Sequence, residues 1–136
     1  MHTGHLRFST EGDGDVIDLT QGLASVVAQS GVANGVVSVF VPGSTAAVTT
    51  MEYEPGGVQD LKQMLDRLIP REGDYEHNRL NHDSNSHAHM RAAIVGPSET
   101  IPVVAGEPRM GTWQQVVLID FDDRPRSRTV IVSVTG

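Results

Sequence analysis

The chain has 136 residues, with 10 Lys plus Arg against 17 Asp plus Glu, a net charge of -7 with histidines neutral, and no cysteine. One domain over residues 1–136 accommodates this length and buries enough surface to stand without a disulfide or a structural metal. The missing cysteine excludes disulfides, thiolate metal sites and a cysteine nucleophile, and the acidic balance argues against non-specific nucleic-acid binding.

Any metal would therefore be held by nitrogen and oxygen ligands, which suit zinc, iron, manganese, nickel or copper. No apolar run is long enough to span a membrane. Met1 to Arg7 lacks the apolar core of a signal peptide, so a cytoplasmic protein is expected. The basic residues are nine Arg and Lys62, and Arg is the better bidentate clamp for phosphate or carboxylate. With aromatics at 4%, the core must come from Val, Ile, Leu, Ala and Met.

In chain order, His5 to Ser9 alternates, with Leu6 and Phe8 on one face, which predicts a half-buried strand. Glu11-Gly12-Asp13-Gly14-Asp15 is turn chemistry. Thr20 reads as the N-cap of a helix with Leu23, Val26 and Val27 on one face, and Gly31 as its stop. After the Asn34-Gly35 turn, Val36 to Val41 is almost wholly apolar, as in a strand covered on both faces. Pro42-Gly43 breaks it, and Ser44 to Met51, small and β-branched, predicts another strand. Pro55 opens a helix with Val58, Leu61, Leu65 and Leu68 at helical spacing, opposite Asp60, Lys62 and Arg67, and Pro70 ends it.

A polar stretch from Arg71 to Ser86 follows, long for a loop and of the kind that is functional or disordered. Ser86 or Asn85 would cap a short helix from His87 to Val95, stopped by Gly96-Pro97. Strands are predicted at Thr100–Val104, Gly111–Asp120 and Thr129–Val134, with a polar hairpin at Asp122–Arg126 joining the last two. The pattern is α+β, more strand than helix, with an antiparallel C-terminal half.

Four of the six histidines, His77, His82, His87 and His89, fall within thirteen residues, interleaved with Glu76, Asp83 and Asn85. Imidazole is the commonest transition-metal ligand and titrates near neutral pH. The cluster is either a site or a solvated loop.

The segments Asn85–Ala93, Gly96-Pro97-Ser98, Ile101-Pro102-Val103 and Gly111-Thr112-Trp113-Gln114-Gln115 resemble the YjbQ family, an uncharacterised protein family. Tyr75-Glu76-His77 and Ser44–Glu52 also match its pattern, so the resemblance covers nearly the whole chain. It implies a mixed, largely antiparallel sheet rolled into a half-barrel or sandwich, with two to three helices packed on it. It also implies a homotrimer and a weak thiamine-phosphate synthase activity, coupling a pyrimidine diphosphate to a thiazole phosphate. The chain departs from the pattern at Gly43-Ser44, where many members carry His-Thr.

His77, His87 and His89 are the candidate metal ligands, since three histidines with one open position is a common catalytic zinc arrangement. His87 and His89 share a face only if that segment is extended, because on a regular helix they sit roughly 200° apart. Glu52 is a possible base or fourth ligand, and otherwise a partner of Arg91 or Arg109. His82 reads as a loop residue. Arg91, four residues after His87, is either an anion clamp or a surface ion-pair partner. Ser44, Thr45 and Ser98, with Thr100, offer hydroxyls to a phosphate, and Gly43 would let backbone amides approach one. Trp113 fills core or subunit interface, or stacks on a flat ring, and Gln114 would face the opposite side of its strand.

The leading expectation is an enzyme with a divalent metal, zinc foremost, on His77, His87 and His89. Catalytic roles fall to Glu52, His89 and Arg91, and the substrate is a small phosphorylated molecule. The alternatives are a non-catalytic trimeric protein that binds a metal or a small molecule, with an anion held in the clefts between its subunits, and a proton-sensitive polar patch without metal. No nucleic-acid or membrane partner is expected.

Overall fold

Every strand pairing in the computed structural model, which describes residues 1–136, is antiparallel. The elements in order are β1 (His2–Thr10), β2 (Asp15–Asp18), α1 (Thr20–Ser30), β3 (Gly35–Phe40), β4 (Ala46–Met51), α2 (Pro55–Leu68), α3 (Glu76–Asn81), α4 (Ser86–Val95), β5 (Ser98–Val104), β6 (Glu107–Pro108), β7 (Gln115–Asp120) and β8 (Arg126–Thr135). A five-stranded sheet runs β1-β8-β3-β5-β6 and a three-stranded sheet runs β2-β7-β4. Together they form the curled half-barrel of an α+β fold, with four helices packed on it. The expected mixed sheet is therefore antiparallel throughout, and the expected two to three helices are four.

Two apolar cores explain the layering. The first joins Leu23, Val26 and Val27 of α1 to the inward residues of the large sheet and to Val48, Val116 and Leu118 of the small one. The second joins Ala47, Val117 and Ile119, on the opposite face of the small sheet, to Leu65 of α2 and to Ala88 and Ala92 of α4. Alternate residues of β7 thus enter different cores, and this is why Val116 to Ile119 reads as a continuous apolar run. Burying each such side chain contributes roughly 1.5–3 kcal/mol.

Local chemistry sets the helix ends. Gly31 closes α1 in the left-handed region at φ 72°, and Leu19, not Thr20, is its N-cap. Glu54 caps α2 by accepting from the amides of Gly56 and Gly57, with Pro55 in the first turn. Leu65 and Ile69 of that segment are buried, whereas Leu68, expected on the same face, is 70% exposed.

The stretch from Arg71 to Ser86 is not structureless, because it holds α3. Arg79 pairs with Asp74 and Glu76 across its first turns, and His82 ends it in the left-handed region at φ 50°. Short β2 follows directly on the Glu11–Asp15 turn and β6 falls between the predicted strands, both in stretches for which no element was predicted. The strand expected from Gly111 begins at Gln115. Gly111–Gln114 is a turn in which the Gly111 amide donates to the Gln114 side chain and the Gln114 amide donates to the Gly111 carbonyl. No helix is long and apolar enough to cross a membrane.

Candidate functional site

Two of the expected histidines meet. His77 on α3 and His89 on α4 bring their ring centroids to 4.6 Å with the planes tilted by 55°. Both are partly exposed. His77 Nε2 lies 3.2 Å from Asn85 Oδ1 and 3.5 Å from Asp83 Oδ2. Asn85, the N-cap of α4, directs its Nδ2 at Asp122 Oδ1, at 3.4 Å. A carboxylate only accepts, so Asn85 must present its amide nitrogen to Asp122 and its carbonyl to His77. Two acceptors then face Nε2, which carries the proton and donates. The lone pair of neutral His77 is left on Nδ1, with only the Asn81 amide near it, at 3.5 Å.

His87 does not join them. The segment is helical from Ser86, so His87 and His89 diverge. His87 is 2% exposed, and its Nδ1 is buried without a hydrogen-bond partner. Burial lowers its pKa below 6.5, helped by Arg91 and Arg71 and opposed by Asp123 and Asp13. It is therefore neutral at pH 7. No group of three His, Asp or Glu side chains in the chain is placed to hold a metal ion together.

Arg91 is not available as an anion clamp from the two nitrogens that are engaged. It is buried, its Nε and Nη2 donate to the Ile69 carbonyl at 3.0 and 2.7 Å, and Nη2 also donates to Asp66. It ties α4 to the end of α2. Glu52 is exposed just past the far end of β4. Six residues of strand separate it from Ala46, about 20 Å, so it does not share a site with His89. Trp113 is 74% exposed in the turn before β7, which rules out a core role within this chain. Ser98 and Thr100 lie exposed on β5, and His82 is exposed at the end of α3.

Thr45 is buried in a polar network that the sequence did not suggest. Arg128 donates from Nε to Asp120 Oδ2 at 2.7 Å, and from Nη2 to Asp120 Oδ1 at 2.9 Å and to Thr45 Oγ1 at 2.7 Å. Arg126 donates to Asp122 Oδ2 at 2.7 Å, and the Thr45 hydroxyl reaches the same oxygen at 3.2 Å. Thr10 donates to Asp120. Asp120 and Asp122 are essentially without solvent contact. Burial alone would raise both carboxyls. Donors outweigh it: Arg128, Thr10 and the Asp122 amide hold Asp120 low, and Arg126, the Asp123 amide and Asn85 hold Asp122 low. The residues lie at the end of an apolar strand and in a polar hairpin, where charges normally face water. No sequence signal separates this case from the ordinary one.

A cleft of about 350 Å³ opens beside the pair, lined by Gly43, Ser44, Ala46 and His89 with Met90 and Pro97. Gly43 has φ 126°, and a β-carbon there would come 2.8 Å from Arg128 Nη1. The histidine of the family pattern would need both the backbone and Arg128 to move. For a metal the residues fit in part. A ligating histidine usually donates its other ring N–H to a carboxylate or an amide carbonyl, as His77 does. His77 and His89 are thus two suitable ligands, and this chain adds no third at the same point.

The model of the family described as UPF0047 protein YjbQ-like matches residues 4–136. A UPF0047 protein of Methanothermobacter thermautotrophicus is 35% identical over 136 residues, covering 100% of this chain and 93% of that protein. One from Mycobacterium tuberculosis is 38% identical over 124 residues, covering 89% of this chain and 90% of the relative. Among solved structures, a YbjQ-like protein of unknown function from Sulfolobus solfataricus superposes with TM-score 0.94 at 30% identity, covering 99% of this chain and 96% of that one. A hypothetical protein from Aeropyrum pernix gives 0.92 at 36%, covering 100% and 99%.

Proposed function

The chain belongs to the YjbQ-like UPF0047 family, and on that premise we propose that the His77–His89 pair and the adjoining cleft form a site for a small phosphorylated molecule and a divalent metal, zinc foremost. The observation that carries this reading is the ordered surround of His77. Asn85 and Asp83 accept from its Nε2–H and leave the lone pair on Nδ1, with only the Asn81 amide near it at 3.5 Å, in a ring pair 4.6 Å apart. His77 and His89 would hold the ion, with water or ligand oxygens completing the shell. A bound divalent ion supplies charge neutralisation at phosphate or diphosphate oxygens.

The reaction we propose is thiamine-phosphate synthesis, in which a bond forms between the thiazole nitrogen and the pyrimidine methylene carbon as the bond to diphosphate breaks. In this reading Ser44, which lines the cleft, would contact the leaving group, and His89 would hold or donate a proton at its oxygens. The non-catalytic reading uses the same cleft and the same pair, in a homotrimer that binds a metal or small anion without turnover. Assembly as a trimer is part of both readings.

Elemental analysis of untagged protein, beside His89→Ala, tests the metal. About one transition-metal ion per chain, lost in the variant, supports the site; none bound and none taken up on addition refutes it. Incubating metal-loaded protein with the two phosphorylated precursors then separates enzyme from binder by the appearance of thiamine phosphate.

A further inference from the structure

We infer that Arg128, not Arg91, is the anion-recognising residue of this cleft, and that Gly43 is the opening through which it reaches a phosphate or diphosphate group. The inference deepens the proposed function, since it names the residue that binds the substrate's phosphate in the same cleft.

The argument starts from the three nitrogens of the guanidinium. Nε and Nη2 are locked on Asp120 in a two-point pair, and Nη2 also holds Thr45. Nη1 donates to nothing. It is not sealed either, because the only fully buried unpartnered side-chain atom of the chain is His87 Nδ1. So a side chain only 10% exposed keeps one nitrogen, with its N–H donors, in contact with solvent.

Gly43 fixes where that nitrogen faces. Within 4 Å of the point its β-carbon would occupy lie only Arg128 Nη1, at 2.8 Å, and Cζ, at 3.9 Å. The guanidinium edge therefore occupies the place of a side chain at position 43. Gly43 and Ser44 both line the cleft, with His89 on its wall. Arg128 does not itself line the cleft, so an anion would take the Nη1 donors at its Gly43 edge, where the missing side chain leaves the way open, with the Ser44 hydroxyl beside it.

The charges around Arg128 are compatible with this. Asp120 grips the Nε–Nη2 edge, and Asp122 lies 3.9 Å from Nη2 while Arg126 engages it. The carboxylates hold the fork in place from the edge away from Nη1. A prefixed guanidinium loses little rotamer freedom when the ligand arrives. Arg91 also keeps its Nη1 without a partner, but its guanidinium is turned to the end of α2, whereas Arg128 Nη1 lies against Gly43, which lines the cleft. The volume is at the lower end for a small-molecule pocket, which suits a phosphorylated metabolite.

The test is titration of inorganic pyrophosphate into chelator-treated, metal-free protein, followed by calorimetry and by ¹⁵N NMR of the arginine side chains. The expected result is saturable binding with a shift of the Arg128 Nη signals. Gly43→Ala should weaken binding about tenfold or more, the scale of one charge-assisted hydrogen bond. Ser44→Ala should weaken it by less, and Arg91→Lys should leave it unchanged. Because Gly43→Ala strains the backbone at φ 126°, the Arg128 signal in the unmodified chain is the deciding readout. Binding with no movement of that signal, or no binding, overturns the inference. Omitting the metal keeps the two readings apart. A null elemental analysis leaves a positive titration intact, and a metal-loaded protein whose Arg128 stays silent refutes this inference alone.

Discussion

Burial leaves His87 a neutral ring with one nitrogen shut away from water and unpaired, and this has a measurable consequence in pH. Its folded pKa is lowered from 6.5 by burial, then by Arg91 and Arg71. Below pH 6.5 the unfolded chain thus binds more protons than the folded one, and stability rises with pH across that window. Acidification from pH 7.5 to 5.5 should lower the urea midpoint of the unmodified chain, and His87→Leu should flatten the dependence. An equal slope in the variant would place the titration on another group. The carboxyls of Asp120 and Asp122 act in a separate, more acidic window. Both are held below 3.8, so their contribution is complete above that value and is lost only as pH falls through their folded values. At this scale the sequence was legible in part. The density of histidines pointed to His77 and His89, but residue type alone could not tell the imidazole that faces the cleft from the one two positions earlier that faces inward.

Elements with a strong apolar period were readable, and those held by polar contacts were not. The period in α2 and the unbroken apolar run of β7 announce their burial, whereas α3 carries no apolar period and rests on ion pairs and a left-handed cap. Gly111–Gln114 looked like strand because its neighbours are β-formers, yet a local amide–side-chain exchange closes it as a turn. Arg91 shows the same limit, since its helical spacing from His87 was visible but its true partner, the carbonyl at the end of α2, was not. Arg91→Met would leave the Ile69 carbonyl buried without its donors. A loss of about 1–3 kcal/mol is expected, read by urea unfolding; a change near zero would mean that α2 and α4 hold together by apolar contact alone.

For the whole molecule, the large sheet buries one face and leaves the other open. Outward-facing Val36 and Phe40 of β3 are 44% and 42% exposed, and Val104 of β5 stands on the same side. With the proposed trimer, light scattering on a sizing column should report three chains of 14.6 kDa. Phe40→Asp should shift the protein to the monomer mass if that sheet face is the contact; an unshifted trimer would put the contact on another surface.

β7 is the middle strand of its sheet, and its successive side chains are shared out between the two apolar cores. Because both cores draw on this one strand, opening either should disturb the other, and a single melting transition seen alike by far- and near-UV circular dichroism is expected. Asp120 ends that strand, and Asp122 follows two residues later. The anchor that aims Arg128 is thus fastened to the middle strand of the small sheet, and the aim of the guanidinium should outlast warming that already frays the helices around it.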